Sequence, residues 1–153
     1  VSWQTLEQED IELAEFGRAQ FAGRPAYLAT VRQDGSPRVH PVTPIVGGGH
    51  LFIFMEPTSP KGHDLRRDGR YALHASVEDT AGGGGEFLIT GRGALVENVE
   101  LRAEAIRHAS YSPADRYILF ELSIETAFST TYDPDGTPVR KRWRRAQTQS
   151  RDQ

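Results

Sequence analysis

The chain has 153 residues and a formal net charge of −3, with 37% hydrophobic residues, 25% charged residues and no Cys. That composition supports a packed core and excludes whole-chain disorder, a disulfide scaffold, a Cys-based zinc or iron–sulfur site and a catalytic thiol. The longest unbroken apolar run, Leu51 to Met55, is too short for a membrane helix, and the negative net charge argues against a dedicated nucleic-acid binder.

Thr5-Leu6-Glu7-Gln8 reads as a capping box with Thr5 as its N-cap. Acids at 7, 9, 10 and 12 suit the positive end of a helix placed at about 6–21, and Gly23-Arg24-Pro25 ends it. Strand pattern follows. Ala26 to Arg32 alternates and runs into Asp34-Gly35, a hairpin signal. Pro37 to Val46 is extended, and Pro41 and Pro44 make it an edge, a bulged strand or a ligand-lining one. Gly47-Gly48-Gly49 turns into a strand over His50 to Glu56, and Ser59-Pro60-Lys61 opens a short helix to about Asp68. Arg70 to Val77 is a strand, 80–85 a flexible loop, and Glu86 to Glu97 a long strand bent at Gly91 and Gly93. Val99 to Ala109 reads as a helix, Arg116 to Thr131 as further strand, Asp133 to Gly136 as a turn and Pro138 to Arg144 as a last strand. Hairpins without regular β-α-β alternation predict a mainly β (α+β) fold, an antiparallel barrel with peripheral helices. The expected organisation is one domain over 1–145 and a disordered basic tail over 146–153, in a cytoplasmic protein.

Common nucleotide, metalloprotease and serine-hydrolase motifs are absent. The glycine run at 82–85 precedes a strand rather than a helix, so it reads as a hairpin connection. Histidines 40, 50, 63, 74 and 108 show no metal spacing. Two signals carry chemistry. Ser59 is a favoured N-cap and Pro60 a favoured first residue. The helix start they build exposes backbone N–H groups and a partial positive charge, and Lys61 adds a cation where the dipole disfavours one. It is either a solvated surface lysine or half of an anion site. In Arg38-Val39-His40-Pro41-Val42-Thr43 the two-residue period puts Arg38, His40 and Val42 on one face. Arg38 is either an ordinary edge-strand charge or a bidentate phosphate ligand.

AYLATVRQDGSPRVHPVTPIV and HLFIFMEPTSPKGHDLRRDGRYALHASV together resemble the flavin-binding split-barrel family related to pyridoxamine 5′-phosphate oxidase, closely over 26–78 and more loosely to about 145. The resemblance implies a six-stranded split barrel and a homodimer with flavin mononucleotide (FMN) in the groove between subunits. It implies that Arg38 and Lys61 hold the phosphate with help from Ser59. The backbone around Val39, His40, Pro41, Val42 and Thr43 would run under the isoalloxazine ring. Phe54 and Met55 would border the ring and ribityl chain, and Trp143 with its flanking arginines would approach the partner's cofactor. A hydride would pass between flavin and a small-molecule substrate; no catalytic side chain is assigned.

The chain departs from the family's oxidases in two places. Pro60 stands where they carry an Arg before the phosphate-binding Lys, and 140–145 (RKRWRR) lacks the His of their substrate-binding Arg-x-His pair. Both departures weigh against vitamin B6 oxidation. Two alternatives follow: a reductase using the deazaflavin F420, whose acidic tail needs a basic groove, or a non-enzymatic flavin or haem binder.

Overall fold

The structure, a computed structural model, describes residues 1–147, so residues 148–153 of the expected tail lie outside the described residues. The helices are α1 (Trp3–Glu9), α2 (Ile11–Phe21), α3 (Pro60–Arg67) and α4 (Val99–His108). The strands are β1 (Ala26–Val31), β2 (Pro37–Val42), β3 (Ile45–Gly47), β4 (His50–Met55), β5 (Arg70–Ala75), β6 (Glu86–Leu95), β7 (Ile118–Tyr132) and β8 (Pro138–Arg144). All pairings are antiparallel. The order is β2-β1-β5-β6-β7-β4-β3, with β8 added to β7.

This is the expected α+β split barrel, and its sheet does not close. Six strands, β2 through β4 in that order, form its body; β3 is a three-residue extension. The 15-residue β7 is long enough to serve two partners on one edge. Its start pairs with β4 and its end with β8. The extended run 37–46 is divided, because Pro44 cannot donate to a ladder. Before the break the chain pairs with β1, and after it with β4. Consecutive strands β2 and β3 thus lie at opposite ends of the ladder, joined by Thr43 and Pro44 alone.

The N-terminal helix predicted over 6–21 is two helices, and the predicted capping box is absent. Helix α1 starts earlier, with Ser2 at its N-cap, because Trp3 and Leu6, three residues apart, are both fully buried. Trp3 packs against Phe21 and Phe87, with ring centroids 6.4 and 6.2 Å apart. Asp10 leaves the helical conformation (φ −150°, ψ 80°), and its side chain accepts from the Leu13 N–H at 3.1 Å to start α2. Capping by Asp10 offsets the break between the helices.

Two apolar clusters fill the fold. The larger, inside the curl, includes Leu28, Val42, Leu51, Ile53, Met55, Leu73, Phe87, Ile89 and Phe120. The smaller, beneath α4, joins Ile45, Phe52, Phe54, Ala105 and Leu119. Strand β4 is buried on both faces, which explains its continuous run LFIFM where half-buried strands alternate.

The β6–β7 register shifts between Thr90 and Gly91. A Cβ on Gly91 would run into the backbone carbonyl of Ser123, which also accepts from the buried Tyr71 hydroxyl at 2.8 Å. Both strands would have to part to admit a methyl group. Gly91→Ala is expected to lower stability by about 1–3 kcal/mol; an unchanged urea midpoint would show that the bulge yields freely.

Candidate functional site

Helix α3 begins as predicted, with Ser59 as N-cap and Pro60 in the first turn. It lies on the barrel through Gly62, Asp64 and Leu65. A Cβ on Gly62 would approach the Met55 sulfur to 3.0 Å, so the helix start sits close on the end of β4. The hairpin between β1 and β2 turns at Asp34-Gly35, where Gly35 has φ 85°. It sets Thr30 directly opposite Arg38.

Both residues reach one atom. The Thr30 hydroxyl and the Arg38 Nε each donate to Asp64 Oδ2 at 2.7 Å. Arg67 donates to Asp64 Oδ1 at 3.0 Å and to the Val31 carbonyl at 2.8 Å. Asp64 is 3% exposed. Burial pushes its carboxyl up, but the hydrogen bonds from Arg38, Thr30 and Arg67 outweigh that and hold it below the ordinary carboxylate range. Through one carboxylate, α3 is tied to both strands of the hairpin.

Arg38 spends only its Nε on this pair; among the described residues its two terminal nitrogens have no hydrogen-bond partner. Lys61 donates to the Ser59 hydroxyl at 2.8 Å and has no carboxylate partner among the described residues. That hydroxyl makes no capping bond. Burial lowers the Lys61 pKa. His40 is exposed, and partial desolvation, then the Lys61 charge, then that of Arg38 lower its pKa, which favours the neutral imidazole. The fields of both cations therefore converge on His40. Beside Arg38 a cleft of about 450 Å³ is lined by Arg32 to Asp34 of the turn and by Pro60, His63, Asp64 and Arg67. Cationic donors beside a helix N-terminus fit a phosphate-sized dianion.

The other predicted residues lie in varied places. Val42 points into the main core, whereas Val39, Pro41 and Thr43 are exposed. Met55 is buried near the start of α3. The Phe54 ring faces the opposite way, into the smaller cluster, with the Arg102 guanidinium 5.1 Å from its centroid. Trp143 is half-buried against the main core, and β1, β5, β6 and β7 lie between its strand and β2 in the ladder. Sequence reasoning overlooked Thr30, Asp64 and Arg67. The hairpin signal would have paired Thr30 with Arg38, and the three-residue spacing of Lys61, Asp64 and Arg67 on a helix would have grouped those. His63, read as a surface residue, is exposed and also lines the cleft.

The family model described as "Pyridoxamine 5′-phosphate oxidase" matches residues 13–131. That span includes Arg38, Asp64 and Lys61 and stops before Trp143. Among solved structures, a conserved hypothetical protein from Mycobacterium tuberculosis is 20% identical with a TM-score of 0.63, over 78% of this chain and 82% of that one. A heme binding protein from Mycobacterium smegmatis is 22% identical with a TM-score of 0.63, over 84% of this chain and 57% of that one. PhzG from Burkholderia lata 383, in complex with tetrahydrophenazine-1-carboxylic acid, is 17% identical with a TM-score of 0.63, over 93% and 86%. At these identities the likeness is one of fold. No curated protein matches.

Removing the shared carboxylate strands the partly buried Arg38. Asp64→Ala is expected to cost about 3–5 kcal/mol, as for other broken buried pairs, measured by urea unfolding at pH 7. Because the native pKa of Asp64 is depressed, its contribution is complete above the unfolded value near 3.9 and fades as pH falls through the lower native value. The gap between parent and variant should therefore shrink on acidification below about pH 4; a constant gap would show that Asp64 acts through packing alone.

Proposed function

The chain belongs to the pyridoxamine 5′-phosphate oxidase family, and from that premise we propose that it binds FMN and passes a hydride between the flavin and a small substrate. One observation carries the reading: Arg38 keeps two nitrogens free and Lys61 lacks a carboxylate partner among the described residues, with both charges converging on His40. A half-buried lysine without a counter-charge, near an arginine whose carboxylate partner takes only its Nε, calls for an anion. The phosphate would be held by the terminal nitrogens of Arg38, by Lys61 and by the Ser59 hydroxyl.

FMN, when bound, supplies the hydride acceptor and donor. The chain binds and orients it. Asp64 fixes the Arg38 guanidinium, so less conformational freedom is lost when the phosphate docks. Residues 39 to 43 would run beneath the ring, and Met55 would border it; the Phe54 ring is held under α4, leaving only its backbone to the cofactor. His40, biased toward its neutral form, offers an acceptor nitrogen without adding charge. The outer face of β1 and β2 exposes Tyr27 (46%) and Val39 (64%). A second copy covering that face would form the homodimer and bring its Trp143 and neighbouring arginines to the cofactor groove.

A second reading replaces FMN with F420. The observation in its favour is Arg32 in the cleft beside Arg38, an added cation for a longer acidic tail. A haem carrier, as in the binding and storage proteins of similar fold, would need an axial ligand and an apolar slot instead. Mass spectrometry of the small molecule released on denaturation, with the absorbance of the purified protein, separates the three. FMN with an oxidised-flavin spectrum is expected. A Soret band, or failure to take up added FMN, would overturn the reading.

Two further outcomes are expected. Lys61→Ala removes a charge-assisted bond worth about 1.5–3 kcal/mol, so FMN affinity by fluorescence titration should fall roughly 10- to 100-fold; parental affinity would exclude Lys61 as an anchor. A bound dianion also offsets the two charges that depress His40. Its pKa, followed by NMR, should rise when FMN binds, and an unmoved value would place the phosphate elsewhere.

A further inference from the structure

The chain has two lysines, 61 and 141, and they differ in every respect that governs amine reactivity. Lys141 lies on exposed β8 and donates to Glu12 Oε2 at 3.0 Å; that hydrogen bond and the Glu12 charge hold its pKa up. Lys61 is half-buried and donates to the Ser59 hydroxyl at 2.8 Å, with no carboxylate partner among the described residues. Desolvation favours the neutral, nucleophilic amine. Arg38, its terminal nitrogens without a partner among the described residues, grips Asp64, which lies one helical turn from Lys61 on α3, and both cations act on His40.

We propose that Lys61 is an acylation site for acyl phosphates, mixed anhydrides of a carboxylic acid and phosphoric acid. Arg38 seats the phosphate while the lysine takes the acyl group. The Nζ lone pair attacks the acyl carbon and the C–O bond to phosphate breaks. Phosphate leaves with that electron pair, and Nζ gives a proton to water. The products are an amide and inorganic phosphate, and no oxidant or reductant takes part. The Ser59 hydroxyl accepts from Nζ and so orients it. The amide has lost the charge that would hold a cofactor phosphate, so acylation and cofactor loading exclude one another. The proposal rests on the reading that Arg38 and Lys61 face a phosphate.

The test uses the full chain and acetyl phosphate, with acetylation at both lysines followed by peptide mass spectrometry. Lys61 is expected to react about tenfold or more faster than Lys141, because Arg38 seats the acyl phosphate beside it and no carboxylate among the described residues holds its ammonium form. Its rate should saturate with acetyl phosphate and fall when inorganic phosphate is added; the Lys141 rate should stay linear. The neutral ester p-nitrophenyl acetate should show no saturation at either residue. Equal rates at the two lysines, a linear rate at Lys61 or indifference to inorganic phosphate would each overturn the proposal. Arg38→Gln should abolish saturation. If that variant does not fold, phosphate competition in the unaltered chain decides alone. A chain that refuses FMN yet shows saturable acetylation of Lys61 would sink only the cofactor reading. One that binds FMN yet acetylates both lysines alike would sink only this one.

Discussion

A single buried carboxylate organises the site. Asp64 comes from a short helix, and its donors come from both strands of a hairpin and from the helix itself. A buried ionised group persists only where partners satisfy its oxygens, and three donors do so here. The helix start is thereby fixed against β1 and β2. Arg38 is gripped at one nitrogen while the other two have no partner among the described residues, a division that a monodentate pair at Nε allows and a bidentate one would not. The positive field near His40 follows from the same geometry.

The scaffold under the site rests on a different principle. Strand β4 alternates its side chains between two apolar clusters, and α4 exists in the fold as the cover of the second. Arg102 of that helix lies over Phe54 and donates to the Tyr117 carbonyl at 2.7 Å, locking the cover to the segment that enters β7. Met55 closes the same strand under the start of α3. A strand packed on both sides has little freedom to shift register, so α3 begins on a fixed floor.

Much of this could be read from residue patterns. The Asp34-Gly35 turn, the proline-marked edge, Ser59-Pro60 at a helix start and the bend at Gly91 each depend on local backbone chemistry, and each appears where that chemistry puts it. The first helix departs from its local pattern for a tertiary reason. Trp3 is buried by Phe21 and Phe87, partners too distant in sequence for a capping motif to register, and Asp10, one of the acids expected within the helix, is a cap. Lys61 and Arg38 were legible because a cation at a helix N-terminus and an Arg on a proline-broken strand lack a local rationale. Asp64 was not, because its role requires knowing that Thr30 and Arg38 face each other beneath α3. Phe54 shows the limit of strand alternation, which separates the two faces of β4 without saying which one the site shares.

The outermost strand has one more consequence. In β2 the alternate residues 37, 39 and 41 direct their backbone nitrogens away from β1, as Pro37 and Pro41 require. Proline has no N–H, so along that rim Val39 alone can donate. A foreign extended peptide seeking to add itself there would meet two blanks in three positions. The prolines thus guard the unclosed barrel against runaway strand stacking into fibrils.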